Sequence, residues 1–210
     1  MDKMREISFD EFCESIGTTK QIAMNLLREH HDPGYHRPEH LNGSIIHHHF
    51  VFCAIASSNI HVKSMFEIGT CAGNCARLLS NIFPKSLIKT LDIPENYKDI
   101  IPKVCRSMQD RDNAAKLLDP LKNVEMLEYN SAFLWKNEKE SHDCIFVDGC
   151  HNHPVVFSDI MWAYFNAQKI IVFHDVGPGE PHVVESLKYL DSIVDEELLI
   201  TSKMGILIKR

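Results

Sequence analysis

The stretch Met65-Phe66-Glu67-Ile68-Gly69-Thr70-Cys71-Ala72-Gly73-Asn74 reads as an apolar strand running into a glycine-bearing turn, which then opens a helix from Asn74 to Leu79. Gly69 and Gly73 permit backbone angles that a Cβ forbids, and they let the main chain come close to a ligand. A dinucleotide fingerprint would place Gly-x-Gly-x-x-Gly here, so that a pyrophosphate rests on the helix N-terminus. This chain has Glu-x-Gly-x-x-x-Gly instead. An acid at Glu67 repels phosphate and suits a cationic or amine-bearing ligand, which argues against NAD.

Working outward from this turn, strand-like and helix-like stretches alternate. Strands are expected at Lys63–Ile68, Leu87–Ile93, Val124–Tyr129, Asp143–Val147 and Lys169–Phe173, with a helix over Ile101–Leu118 and another over His182–Leu190. Glu197–Ile200 and Gly205–Ile208 read as a closing hairpin. The short apolar runs fit strands buried on both faces, and the alternation implies an α/β fold with a single doubly wound, mostly parallel sheet. Before it comes an N-terminal helical extension. Ser8-Phe-Asp-Glu11 is a capping box opening a helix to about Ile16. Thr18–His30 carries Ile22, Leu26 and Leu27 at helical spacing, His31–Gly43 is a loop enforced by proline and glycine, and Ser44 caps an apolar helix through Ser57. Residues 1–43 are read as these helices plus a His-rich loop, serving as a lid or an oligomerisation arm, and residues 44–210 as the ligand-binding domain.

Ligands of such sheets bind beyond the carboxyl ends of the strands. The second strand ends at Asp92, about 20 residues past the turn, where a carboxylate can accept two hydrogen bonds from a ribose diol. The third ends at Asn130-Ser131, small polar residues able to meet an adenine edge. The fourth ends Asp148-Gly-Cys-His151 and the fifth His174-Asp175. Strand tips lie about 5 Å apart, so Asp148, His174 and Asp175 can converge on one ion with His151 close by. Two carboxylates and an imidazole suit Mg²⁺, Mn²⁺ or Fe²⁺ and leave positions open for substrate. The other reading of His174-Asp175 is a hydrogen-bonded pair capping the next turn.

Composition narrows the class. The chain has 210 residues, a net charge of −7 and scattered Lys and Arg, which excludes a basic nucleic-acid footprint and favours a small-molecule acceptor. No apolar run reaches the ~20 residues that span a bilayer, and Met1-Asp-Lys-Met-Arg-Glu leads into a polar stretch, so no membrane partner and a cytoplasmic location are expected. Seven cysteines without paired short spacings read as reduced thiols, and Cys71 and Cys75 as small packing residues.

Glu67-Ile-Gly69-Thr70-Cys71-Ala-Gly73 resembles the first motif of the class I S-adenosylmethionine (SAM) methyltransferases, which are Rossmann-like. The resemblance implies SAM as cofactor, with the glycines passing under its methionine part and the acid ordering the loop. Asp148-Gly-Cys-His151 followed by His174-Asp175 resembles the small methyltransferase family 24, and is similar at matching positions to the catechol-type and macrolide-sugar O-methyltransferases. That likeness covers Met65 to the C-terminus. It implies a metal-assisted O-methylation of a small-molecule hydroxyl, with Mg²⁺ or Mn²⁺ on Asp148, His174 and Asp175. It also implies SAM contacts from Glu67, Gly69, Thr70, Cys71, Gly73, Asp92, Asn130, Ser131 and Asp148. The chain departs from these relatives at His174, where an acid is usual, and at His151, where the catechol type has lysine. Histidine has an ordinary pKa near 6.5 and is able to take a hydroxyl proton, so His151 is read as the base.

Thirteen histidines are many for this length, and the front end holds His30, His31, His36, His40 and His47-His48-His49. Consecutive helix residues point about 100° apart, so the last three are expected not to share one site and to be solvated or singly hydrogen-bonded. Gly177-Pro-Gly-Glu-Pro-His182 follows the fifth strand and reads as a pocket lining or a plain turn. A competing reading is a metal-dependent hydrolase or oxygenase, since His151, His174 and Asp175 imitate a facial triad. It leaves the glycine turn and Asp92 without a role. A SAM-binding scaffold that turns nothing over is the non-enzymatic alternative.

Overall fold

Alternate residues of the central strands face opposite sides, and here both sides are apolar. In β2 (Ser64–Ile68), Met65 packs toward one layer of helices while Phe66 and Ile68 pack toward the other. β5 (His142–Val147) and β6 (Ala167–Phe173) repeat this, with Phe146 and Val172 on the first side and Val147 and Phe173 on the second. The computed structural model describes residues 4–32, 39, 47–94 and 108–209. Within them one eight-stranded sheet lies between the two apolar layers.

The other strands are β1 (Arg5–Glu6), β3 (Leu87–Asp92), β4 (Val124–Glu128), β7 (Leu198–Thr201) and β8 (Met204–Ile208). Their spatial order is β1-β7-β8-β6-β5-β2-β3-β4. Only β8 runs antiparallel to its neighbours, so the doubly wound, mostly parallel sheet is present as expected. No described helix is long and apolar enough to cross a membrane.

α1 (Phe9–Ser15) carries the full capping box: Glu11 N–H donates to Ser8 Oγ at 3.2 Å and Ser8 N–H donates to Glu11 Oε2 at 2.7 Å. α2 (Lys20–His30) buries Ala23, Met24 and Leu27 and leaves Ile22 exposed, so the helix forms as expected but turns a neighbouring face inward. α3 (His48–Ala56) is buried over almost its whole length. Its described start lies under His47, and Ser44, expected as its cap, falls outside the described residues. Phe9 and Phe12 of α1, Leu27 of α2 and Phe50 and Phe52 of α3 belong to the same apolar cluster as Met65 and Phe146 of the sheet. The extension is therefore built into the core.

α4 (Asn74–Ile82) follows the glycine turn, and α5 (Met108–Leu118) is described only from Met108 of the expected Ile101–Leu118. After β4 come a 3-10 turn (Ser131–Phe133) and α6 (Leu134–Asn137). α7 (Val155–Asn166) joins β5 to β6, and α8 (Pro181–Ile193) precedes the closing hairpin. Both β1 and α7 are absent from the sequence-based expectation.

The chain proceeds from β2 to β3 and β4 on one side and crosses to β5 and β6 on the other, which makes the β2/β5 crevice the switch point where ligands bind. Ile68 pairs with Leu91 and with Val147, and Val147 pairs with Phe173. The ladder continues past the strands through Asp148 N–H to Ile68 O (2.9 Å) and His174 N–H to Val147 O (3.0 Å). Gly69, Asp92, Asp148 and His174 thus emerge side by side on one edge.

Candidate active site

Gly69 adopts φ +108°, and a Cβ there would lie 2.1 Å from the Asp148 carbonyl oxygen. Gly73, at φ +82°, caps α4, and its Cβ would press on Ala114 and Leu118 at 3.2 Å. The close approach that these glycines allow is therefore to the protein's own backbone and to α5. Between them Cys71 takes φ +47° and its N–H donates to Asp92 Oδ2 at 2.7 Å. Asp92 Oδ1 accepts from Ile93 N–H at 2.8 Å. Asp92, at the end of β3, thus holds the turn closed through Cys71.

Glu67 does not offer its charge to the turn. It is 1 % exposed and burial pushes its carboxyl up to about 8, against the opposing hydrogen bonds from Thr90 and Cys75. Near neutral pH it is mostly protonated, which corrects the expectation that it acts by repelling phosphate. Thr90 donates to Glu67, and the Thr90 hydroxyl lies 2.7 Å from that of Thr70, so a hydrogen-bonded chain runs from β2 through β3 into the turn. Thr70 is buried as well, its hydroxyl engaged there.

Asn130 caps the 3-10 turn after β4, and Ser131 is its first residue. Asn130 Oδ1 accepts from Ala132 N–H at 2.9 Å, and Ser131 Oγ donates to Asp159 Oδ2 at 3.0 Å. Asp159, on α7, is fully buried beneath Gly149, and burial pushes its carboxyl up to about 7 against the Ser131 bond. Sequence reasoning missed this residue. Its signal was a lone acid in an apolar stretch.

Asp148, His151, His174 and Asp175 do come together. His174 Nδ1 lies 3.1 Å from Asp148 Oδ1 and 3.2 Å from Asp175 Oδ2, and His151 Nε2 lies 3.9 and 3.8 Å from the same two oxygens. His174 Nδ1 is buried between the two carboxylates without an aligned hydrogen bond to either. Burial opposes ionisation of Asp148, but His151 and His174 outweigh it and hold the carboxyl below its usual range. In return Asp148 raises His151, and for His174 the two carboxylates overcome the effect of burial and raise it too. Asp175 adopts φ +56°, an αL conformation that costs a non-glycine residue energy and that gathers at functional sites.

Two further groups reach this cluster. Glu180, from the Gly-Pro-Gly-Glu-Pro loop, places Oε2 3.4 Å from His151 Nδ1. His48 packs its ring edge-on to His174, with centroids 4.9 Å apart, and its ligand atom lies within 4.8 Å of those of Asp148 and His174. His47, His48 and His49 also gather their ligand atoms within 4.8 Å, against expectation. The 100° rule fails because His47 is the extended N-cap, with its ring folded back to accept from His49 N–H. His48 and His49 are buried, not solvated, whereas His36 and His40 lie outside the described residues. The six described cysteines are free thiols. A groove of about 660 Å³ runs along Val176, Gly177, Pro178 and Pro181 toward Glu6 and Ile200, away from the glycine turn.

No protein-family model and no curated protein sequence matches this chain. Solved structures do match in fold. A candidate caffeoyl-CoA O-methyltransferase from Staphylococcus aureus superposes with a TM-score of 0.64 at 14% identity, covering 91% of this chain and 99% of its own. A methyltransferase from Podospora anserina bound to S-adenosylhomocysteine gives 0.61 at 12% identity over 95% and 93%. An O-methyltransferase from Bacillus cereus, also in complex with S-adenosylhomocysteine, gives 0.53 at 15% identity over 95% and 96%. At these identities the likeness is one of fold.

Proposed function

We propose that this chain is a SAM-dependent methyltransferase that methylates a hydroxyl of a small-molecule acceptor with the help of a divalent metal. One conjunction carries the reading: the turn held by Asp92 through Cys71 opens on the same sheet edge as Asp148, His174 and Asp175. Two of the fold's neighbours were crystallised with S-adenosylhomocysteine, the product of such a reaction. The residues offer donors for an ion: Asp148, His151 and Asp175 bring one ligand atom each within 4.8 Å of one another, and so do His48, Asp148 and His174.

When bound, the two groups supply an electrophilic methyl on a sulfonium and a positive charge that lowers the pKa of an acceptor hydroxyl. The chain's own residues do the rest. Asp92 accepts the ribose diol, and the backbone from Gly69 to Gly73 supports the methionine end. Ser131 and Asn130 border the adenine end, with Asp159 fixing Ser131. Asp148, just past β5, would contribute to holding both groups. Holding donor and acceptor in line supplies a large part of such a rate enhancement. The acidic surface selects a small acceptor over a nucleic acid.

Calorimetric titration of SAM into metal-stripped protein, repeated with Mg²⁺ and Mn²⁺, tests the reading. Micromolar binding of SAM supports it. Metal binding without any SAM binding would overturn it in favour of a hydrolase or oxygenase.

A further inference from the structure

His48 opens α3, the helix that joins the N-terminal extension to the core, and it is 4 % exposed. Its ring stands edge-on to His174, with centroids 4.9 Å apart at 79°, and its ligand atom lies within 4.8 Å of those of Asp148 and His174. An imidazole bound at about 2.0–2.1 Å keeps its ring centre about 3.2 Å from the ion, so two of them lie about 4.5 Å apart at a right angle and about 5.2 Å apart around a tetrahedron. The observed 4.9 Å falls between the two. Asp148 Oδ1 and His174 Nδ1 are 3.1 Å apart, and neighbouring donors of one ion lie about 3–3.4 Å apart.

A second set, Asp148, His151 and Asp175, also brings its ligand atoms within 4.8 Å and shares Asp148 with the first. Charge alone accounts for its contacts, since His151 stands 3.9, 3.8 and 3.4 Å from the carboxylates of Asp148, Asp175 and Glu180. Charge does not account for His48, which sets a second imidazole, not an acid, against His174 in a buried position. A dication would give both imidazoles a common partner, with Asp148 supplying the negative charge that a buried cation needs. The alternative is aromatic packing, because the same ring also lies 5.3 Å from that of Phe146. We propose that His48, Asp148 and His174 are the metal ligands of this chain, so that the N-terminal extension completes the centre, and that this two-imidazole, one-carboxylate set selects a transition dication such as Fe²⁺, Co²⁺ or Zn²⁺ over Mg²⁺. Imidazole suits those ions, whereas Mg²⁺ takes oxygen ligands and keeps several waters. The use of such an ion in methylation rests on the methyltransferase reading; its binding does not.

The test is a titration of Co²⁺ into metal-stripped, full-length protein, followed by visible absorption and calorimetry, with Mg²⁺ as competitor and SAM binding measured alongside. Co²⁺ is expected to bind and to resist an equal concentration of Mg²⁺. His48→Phe keeps a ring against Phe146 and is expected to weaken Co²⁺ at least about tenfold and to change its spectrum, with SAM affinity intact, since even an outer partner of a ligand is worth about 10–100-fold. Asp148→Asn is expected to weaken Co²⁺ likewise, and His151→Ala to leave its affinity and spectrum as they were. Unchanged Co²⁺ affinity and spectrum in folded His48→Phe would overturn the assignment and leave His48 as aromatic packing. Loss on His151→Ala instead would move the ion to the oxygen-rich set. Binding that survives Asp148→Asn would move it to His47, His48 and His49, whose ligand atoms also lie within 4.8 Å of one another. Ready displacement of Co²⁺ by Mg²⁺ would overturn the selectivity, and no Co²⁺ binding at all would overturn the site. In the unaltered protein, paramagnetic resonance of bound Cu²⁺ counts the imidazoles without any variant: two are expected, and one or three refutes the set. Co²⁺ binding as expected with no SAM binding would leave the centre standing and overturn the methyltransferase instead.

Discussion

Replacing Glu67 by Gln should make the protein more stable, and by an amount that depends on pH. In the folded chain the carboxyl is raised from an ordinary value of 4.5 to about 8, first by burial and then by the nearby charges of Asp148 and Asp92, with Thr90 and Cys75 acting in the opposite sense. The folded state therefore binds a proton that the unfolded state has released, and the stability contributed by protonated Glu67 is lost as pH rises from about 4.5 to about 8. Each pH step of one across that interval removes about 1.4 kcal/mol, so the loss between about pH 4.5 and pH 7 is about 3 kcal/mol. Gln is the same size, keeps an oxygen for Thr90 and does not titrate. Thermal melts followed by circular dichroism, from about pH 5 to about pH 8, should show the two proteins equal at the acid end and diverging by several degrees at the other, at about 2–4 °C per kcal/mol. SAM affinity should change little, because Glu67 works through the Thr90–Thr70 chain and not by charge. Parallel pH profiles would refute the argument, since they would mean that Glu67 is ionised inside the fold.

Asp159→Asn should behave in the same sense but with its gain complete by about pH 7, where burial has placed that carboxyl; melts against pH separate it from Glu67. Gly69→Ala should cost about 2 kcal/mol or more, because its Cβ meets the Asp148 carbonyl at 2.1 Å and its φ is +108°. Gly177→Ala, in open space, should stay within about 0.5 kcal/mol in the same denaturation assay. Asp92→Ala removes the acceptor of Cys71 N–H and should weaken SAM by about 10–100-fold in calorimetry while leaving metal binding unchanged. Deleting residues 1–43 strips Phe9, Phe12, Leu27 and their buried neighbours from the core, at about 1.5–3 kcal/mol for each large side chain, which exceeds the margin of a typical domain. The shortened chain should lack a cooperative melt, and one that melts normally would show the extension to be dispensable.

What could be read from the sequence follows from how a parallel sheet works. Strand tips lie next to one another whatever the loops do, so the turn from Gly69 to Gly73, Asp92, Asp148 and His174 could be assigned to one edge before any coordinates. The direction of a side chain could not. Glu67 has the spacing of a turn residue, but its register partner is Thr90, and Cys75 of α4 closes over it. α7 escaped because apolar residues surround Asp159 on nearly all sides and blur the helical period. The parallel β5–β6 pair nevertheless demanded a crossover of about a dozen residues, and that topological requirement is the signal a period count lacks.

The histidines show the same limit at the site itself. Angular spacing along an ideal helix separates His47, His48 and His49, but a helix has an end, and at that end His47 leaves the helical path and its ring returns over the first turn. Glu180 is a parallel case, since its loop reads as a turn and only the fold brings its carboxylate to the back of His151. Both groups act on residues that the sequence did identify. His48 packs edge-on against His174, and Glu180 brings a carboxylate oxygen to 3.4 Å from His151 Nδ1. The carboxylates and imidazoles could be named from strand ends alone, but what surrounds them depends on neighbours contributed by a helix terminus and a loop. Those are the elements whose geometry a periodic pattern does not encode.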